Sequence, residues 1–227
     1  MARQTRSPEV IEKIKDNIIE AAMKLILEMG FSNMSMRKLA DRVGMSATNI
    51  YYYYSSKDEI YLNIQIKGFQ ALQTMLEKID SPGKDPIETL RKMIHGYLEF
   101  GFKNPDYYQI MLNSDTPRYL EYKNKNKKTE PIAFKAKQMA INAIAVPLRV
   151  LEQISVVNDN VPPEDLFFRA YQLWITLHGI VTLNNKKILL ELDEIIPEAL
   201  IDRMCEELIH PFLNHEHAAN GESNNEN

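Results

Sequence analysis

The stretch Phe31-Ser32-Asn33-Met34-Ser35-Met36-Arg37-Lys38-Leu39-Ala40-Asp41-Arg42-Val43-Gly44-Met45-Ser46-Ala47-Thr48-Asn49-Ile50-Tyr51-Tyr52-Tyr53-Tyr54-Ser55-Ser56-Lys57 holds two short helices and the turn between them. Ser35 is an N-cap, and Met36, Leu39, Ala40 and Val43 follow at helical spacing, which predicts a helix over 36–43. Gly44 permits a sharp turn, Met45 plugs the angle, and Ser46 caps a second helix over 47–53. Ile50 faces the core that Leu39 and Ala40 face, and Ala40 is small where two helix backbones must approach. Each residue has a packing reason, and together they spell a helix-turn-helix.

The second helix turns Ala47, Thr48, Asn49, Tyr52 and Tyr53 outward. Short polar side chains and an alanine suit base edges and thymine methyls in the major groove of duplex DNA. Tyrosine hydroxyls are common phosphate donors, and Lys57 stands at the N-terminus of the next helix, where a phosphate contact gains from the helix dipole. The candidate DNA contacts are Ser35, Arg37, Ser46, Ala47, Thr48, Asn49, Tyr51, Tyr52, Tyr53 and Lys57. Four consecutive tyrosines on a helix point four ways, so Tyr51 and Tyr54 are expected to pack or to flank phosphates.

Working outward, the pattern stays helical. Ser7-Pro8-Glu9 opens a helix that Gly30 stops, with Ile14, Ile18, Ala21, Ala22, Leu25, Ile26 and Met29 at its core spacing. Ser56 and Glu59 make a capping box for a long helix to Ile79, and Ser81-Pro82-Gly83 ends it. Asp85-Pro86 opens a helix to Lys103, and Asn104-Pro105 a short one to Leu112. Residues 113–130 are polar, with Lys123, Lys125, Lys127 and Lys128 set among asparagines, and read as a solvated loop rather than a second DNA contact. A helix from 131 to 155 contains Pro147, expected to kink it. Pro162-Pro163-Glu164 opens a helix to Leu183 that is apolar nearly all round and so must be covered on more than one face. On the last helix Ile196, Leu200, Met204, Leu208 and Phe212 form a column beside Ile201, Cys205 and Ile209. These two helices fit either a well-buried core or a homodimeric four-helix interface through Leu173, Ile180, Leu200, Met204, Leu208 and Phe212. The expectation is an all-α chain of about nine helices: a DNA-binding domain over 8–67, a C-terminal helical bundle over 68–213, and a disordered polar tail over 214–227.

From Asn17 to Ile64 the chain resembles the TetR family of regulators. The resemblance rests on Ile18 and Ala21-Ala22 before Glu28-Met29-Gly30-Phe31, then Met34-Ser35, Leu39-Ala40, Gly44-Met45-Ser46, Ile50-Tyr51 and Ser56-Lys57. Two departures stand out. Tyr53-Tyr54 replaces the family's usual His-Phe, and Ala47-Thr48 replaces a Pro-Gly or Lys-Gly pair, which implies a base preference of its own. Downstream, Asn104 to Leu112 with Trp174 and His178-Gly179 is similar to the subclass named for a Trp-His-Gly motif. The resemblance implies a homodimeric repressor of a palindromic operator, with dimerisation through the last two long helices and a small apolar effector held by the middle ones. Phe100, Tyr107, Tyr108, Met111, Phe134, Trp174 and His178 are the candidate effector-pocket residues, although core packing explains each equally well.

Composition bounds the alternatives. Residues 1–67 hold ten Lys and Arg against eight Asp and Glu, net +2, and the remainder seventeen against twenty-three, net −6. That asymmetry suits a small DNA-facing unit on an acidic body, though +2 is no polybasic patch. One cysteine, Cys205, excludes an internal disulfide and reads as an inert buried thiol; with no signal-peptide pattern at the start, cytoplasm is expected. No apolar run approaches the roughly 20 residues of a membrane span. There is no Gly-rich phosphate loop, nucleophile–base pairing or metal-ligand spacing, His215 and His217 included, so neither enzyme, metal nor cofactor is expected. The rival readings are a helical protein-interaction regulator and a transcriptional activator without an effector.

Overall fold

The computed structural model describes residues 7–124, 127–157, 162–191 and 198–213, and every regular element among them is helical. The α-helices are α1 Pro8–Met29, α2 Met36–Val43, α3 Ala47–Tyr53, α4 Lys57–Ile79, α5 Pro86–Lys103, α6 Pro105–Tyr108, α7 Tyr119–Tyr122, α8 Glu130–Val157, α9 Pro163–Asn185, α10 Ile188–Glu191 and α11 Glu198–Ile209. A π-helical turn, Gln109–Asn113, continues α6, and a 3-10 turn, His210–Phe212, follows α11. The four-residue α7 and α10 were not expected from the sequence, and α8 continues through Pro147. The tail over 214–227, with His215 and His217, lies outside the described residues, as does Ile196.

Local chemistry sets the helix ends. Ser7 Oγ accepts the Val10 N–H at 3.4 Å, Ser35 Oγ the Lys38 N–H at 3.3 Å, and Ser46 Oγ the Asn49 N–H at 3.2 Å. Each satisfies an orphan donor of a first helical turn, worth about 1 kcal/mol. Gly44 is left-handed (φ 68°, ψ 33°), and the turn it makes brings Met45 N–H to Ala40 O at 2.9 Å. At the start of α4, Ser56 Oγ accepts the Glu59 N–H at 3.1 Å, while the Glu59 carboxylate reaches back to the Ser55 N–H at 2.7 Å.

The chain forms two compact units. The first joins residues up to Ala71 with Asn104–Ile141, and the second joins Leu72–Lys103 with the residues from Asn142 onward. The first unit is wider than the domain expected over 8–67. Its core takes Ile18, Ile19, Ala22, Ile26, Leu39, Ile50 and Ile64 from α1–α4, and also Ile110, Tyr122, Ala133 and Ala136 from the 104–141 segment. Gly68 admits Met111 and Tyr107 against α4, at a spot where any Cβ would collide with the Met111 sulfur. Burying that second set of apolar residues removes surface from water at about 25 cal/mol per Å2, a gain that sequence distance does not diminish.

The second unit is built around α5, α9 and α11. Gly101 lets α5 approach Val181 of α9, and Asn185 Nδ2 donates to Gly101 O at 3.0 Å. Arg91 of α5 pairs with Glu206 of α11. Leu173, Leu177, Ile180, Val181, Cys205, Ile209 and Phe212 are buried in this unit.

By length and composition α8 could cross a bilayer, with a mean hydropathy of 1.3 over eighteen of its residues. Its residues are apolar on average rather than in an unbroken run, which is why a search for runs passes over it. Ala133, Ala136, Ala143, Val146, Val150 and Ile154 recur along it at helical spacing and are buried in the protein.

Candidate nucleic-acid interface

The site is assembled from the inside outward. Ile50, with no exposed surface, pins α3 into the same core as Leu39, also fully buried. That orientation leaves Ser46, Thr48, Asn49, Tyr51 and Tyr52 exposed on α3 and its cap, with Arg37 exposed on α2; Ser35, Ala47 and Tyr53 are half-buried. Tyr52 is 76% and Tyr51 54% exposed, so Tyr51 is not packed. Tyr52 and Tyr53 meet edge to face at 5.2 Å, which stiffens the end of α3. Tyr54 is a core residue. Burial, followed by the Glu12, Asp16 and Glu59 carboxylates, holds its hydroxyl far above the usual tyrosine range, so it stays protonated.

The cations near α3 are mostly engaged within their own unit. Arg42 forks onto Glu28, Lys67 pairs with Asp16, and Lys38 Nζ donates to Asn33 O at 3.0 Å. Glu28 is correspondingly lowered and Arg42 raised, each chiefly by the hydrogen bond to the other. Lys57, expected to meet a phosphate, is likewise held within the unit. Its ammonium donates to Phe31 O, Ser32 O and Met34 O at 3.1, 3.2 and 3.3 Å and sits 4.6 Å from the Phe31 ring centroid. An ammonium has three donors, and all three are committed here. The reason lies in the turn after Gly30, whose carbonyls point together once α1 has ended. Lys57 ties that turn to α4 and thereby holds the entrance to α2.

Four further residues shape this unit without having stood out in the sequence. Tyr61 Oη donates to Thr116 Oγ1 at 2.7 Å, and Tyr122 Oη donates to Asp58 Oδ1 at 2.9 Å. Burial, then the hydrogen bond to Asp58, holds the Tyr122 hydroxyl far above the usual range. The signal available was Tyr119-Leu120 and Tyr122, apolar interruptions in a run otherwise dense in Lys and Asn. Residues 113–130 therefore hold a docked short helix, and not only a solvated loop.

The candidate pocket residues are divided between the two units. Tyr107, Tyr108, Met111 and Phe134 belong to the first, where Tyr108 and Met111 are buried and Phe134 is 47% exposed beside Tyr119. Phe100, Trp174 and His178 belong to the second, with Phe100 buried. Trp174 and His178 lie on the outward side of α9, ring centroids 5.8 Å apart, and partial burial lowers the His178 pKa.

The residues expected at a dimer contact fall on different sides of their helices. Leu173, Ile180 and Phe212 are buried inside the second unit. The accessible side of α9 carries Phe167, Phe168, Tyr171, Trp174 and Ile175, between 40% and 68% exposed. On α11 the inward side is Cys205 and Ile209, while Met204 is 36% exposed and Leu208 half-buried. The side chain of Leu200 lies outside the described residues. A helix apolar all round gives its sequence no way to say which side is the core.

Comparison with known proteins agrees with this geometry. Residues 18–64 match the family described as bacterial regulatory proteins, tetR family, and residues 90–208 match the tetracyclin repressor-like C-terminal domain. The transcriptional repressor NicS of Pseudomonas putida is 21% identical over 100 residues, 44% of this chain and 47% of NicS. An uncharacterized HTH-type regulator of Mycobacterium tuberculosis is 20% identical over 184 residues, 79% of this chain and 73% of that protein. The chain thus spans about half the length of NicS. Among solved structures, the fatty acid degradation regulator FadR of Bacillus halodurans has a TM-score of 0.64 at 14% identity, covering 91% of this chain and 97% of its own. AibR, solved with isovaleryl coenzyme A and operator DNA, has a TM-score of 0.61 at 18% identity, covering 86% and 97%. At such identities the solved structures speak for the fold alone. The helix-turn-helix match and the match to more than half the chain together settle the family: the chain belongs to the tetR family of bacterial regulatory proteins, which are transcription regulators and not enzymes.

Proposed function

We propose that this chain is a homodimeric transcriptional repressor that grips a palindromic operator through α2 and α3 and is released by a small, largely apolar effector bound within residues 68–213. The observation that carries the DNA-binding part is α3 itself. Its buried Ile50 locks the helix in place, while Thr48, Asn49, Tyr51 and Tyr52 stand in solvent on its outer side. Arg37 and the tyrosine hydroxyls serve as phosphate donors, and Thr48, Asn49 and the Ala47 methyl read base edges.

Dimerisation is supported by the outward side of α9. Five large apolar side chains exposed in one patch are expensive to leave in water, and a second copy of the same face covers them with C2 symmetry. Two copies of α3 then address major-groove faces about 34–36 Å apart or a multiple of that. Control by an effector is supported by the tetracyclin repressor-like match and by the AibR complex, which holds an acyl coenzyme A together with operator DNA. A ligand that prefers the DNA-incompetent spacing by about 1–3 kcal/mol alters operator affinity roughly 5- to 150-fold.

The test is selection of duplexes from a random pool by the full chain. An enriched inverted repeat, protected on the groove faces that α3 would occupy, is the expected outcome. Failure to enrich any sequence would overturn the reading.

A further inference from the structure

Tyr61, Gln65 and Gly68 follow one another on α4 at spacings of four and three, so they share one face of the helix. The 107–116 stretch covers that face on either side of Gln65. Toward the start of α4 the Tyr61 hydroxyl donates to Thr116 Oγ1 at 2.7 Å, and toward its end the notch at Gly68 takes the Met111 thioether and the Tyr107 ring. Gln65, between them, is 8% exposed. Its side-chain amide makes no hydrogen bond among the described residues, and no fully enclosed polar side-chain atom among them lacks a partner, so the amide tip meets a narrow opening. An unpaired amide in a buried stripe costs stability, so packing gives no reason for a glutamine here. The cover over it is adaptable. Met111 is unbranched and lies within the π-helical turn Gln109–Asn113, which the Ser114 N–H closes onto Gln109 O at 2.8 Å.

We propose that Gln65 is the polar anchor of the effector site, and that Met111 is a plug that yields to the effector's apolar body. This rests on the effector-release reading above, carries the site back from residue 68 to Gln65, and gives the effector a chemistry. The amide both donates and accepts, so it matches a group that does the same, such as a carboxamide. Opposite charges flank the face at each end: Arg118 with Glu121 beside Tyr61, and Lys67 with Asp16 and Glu20 beside Tyr107. Neither end rewards an ion for losing its hydration, so the effector is neutral. Displacing Met111 moves the stretch that the Tyr61 bond ties to α4. Farther along, Tyr122 Oη donates to Asp58 Oδ1 at 2.9 Å, in the first turn of α4, which begins four positions after α3 ends at Tyr53. The anchor, the plug and the reading helix therefore lie in one compact unit.

The experiment uses the full chain, with benzamide as the probe and toluene as a control of similar shape that lacks the amide. Gln65→Met replaces the amide by an apolar chain of equal length and should melt about 2–4 °C above the wild type, because it removes an unpaired group. Benzamide should raise the melting temperature of the wild type and leave that of Q65M unchanged. In titration calorimetry M111A, its plug removed, should bind benzamide more tightly than toluene by about tenfold or more, and M111A/Q65M should bind the two alike. Saturating benzamide should weaken the wild-type chain's grip on a duplex it has isolated from a random pool, and leave that of Q65M as it was. A Q65M that melts below the wild type overturns the inference, since the amide then serves the fold. So does a benzamide preference that survives Q65M, an M111A that binds no benzamide, or bound benzamide that leaves duplex affinity unaltered. Should M111A fail to fold, the comparison of Q65M with the wild type decides. If the wild-type chain isolates no duplex, the DNA-binding reading falls, and calorimetry still reads whether Gln65 holds the amide.

Discussion

Among the described residues, α3 and α9 each expose a cluster of rings, and they expose them differently. On α3 the rings are Tyr51 and Tyr52, set among Thr48, Asn49 and Ser46; on α9 they are Phe167, Phe168, Tyr171 and Trp174, with Ile175 between them. The α3 surface is amphipathic to its tips, so it is stable in water and still has donors to spend on phosphates and bases. The α9 surface is mostly hydrocarbon, and only a dry partner surface improves its situation. Exposure alone thus tells little; the atoms at the end of each exposed side chain decide whether the face awaits a hydrated polyanion or another protein.

The largest effect should come from forcing charge onto α9. Trp174→Glu, or Tyr171→Asp, should convert a dimer to monomer or aggregate in sedimentation, and operator affinity should fall on the order of 100-fold or more because two half-sites are no longer bound as one. The parallel change on α3, Tyr52→Glu, should leave the oligomeric state intact. If both changes dissociate the dimer, the distinction between the two faces is wrong.

Next is Lys57→Met, which leaves the 31–34 carbonyls without their cation. Thermal or denaturant unfolding should reveal a loss of roughly 1.5–3 kcal/mol, since hydrogen bonds from charged donors are worth about that. Retained stability with a flatter salt slope would instead return Lys57 to the phosphate role that its sequence position suggested.

Thr48→Ala and Asn49→Ala should each cost about 1–3 kcal/mol against the preferred operator and little against unrelated DNA, with unfolding unchanged. Loss of affinity for all sequences alike would move these residues from base reading to backbone contact.

The smallest effect is expected at Cys205. Burial, followed by the Asp202 and Glu206 carboxylates, pushes its thiol up to about 11. The folded chain therefore holds that proton more tightly than the unfolded one, so the contribution is fully present below the ordinary thiol range and is lost as pH rises through about 11. A thiol reagent at pH 8 should label the native chain slowly and the denatured chain at once. Rapid native labelling would mean that the inward side of α11 opens readily.

The sequence by itself determined α1 to α4 and the side of α3 that stands exposed. Ser7, Ser35 and Ser46 cap donors three residues away, Gly30 and Gly44 take the positive φ values that stop α1 and α2, and Ile50 recurs at the spacing of its own helix. All of these are short-range interactions, so nearest neighbours suffice to specify them. Tertiary structure alone decided three other matters. Lys57 is bound by carbonyls 23 to 26 residues away, the 104–141 segment shares a core with α1–α4 through Ile110 and Tyr122, and α9 buries Leu173 and Ile180 while leaving Trp174 outside. A lysine at a helix start gives no sign of carbonyls that only a distant turn brings together, and a helix apolar on every side has no period from which to choose its core. Those choices are made by which surfaces meet when the chain closes on itself, because burial rewards contact in space and takes no account of separation along the chain.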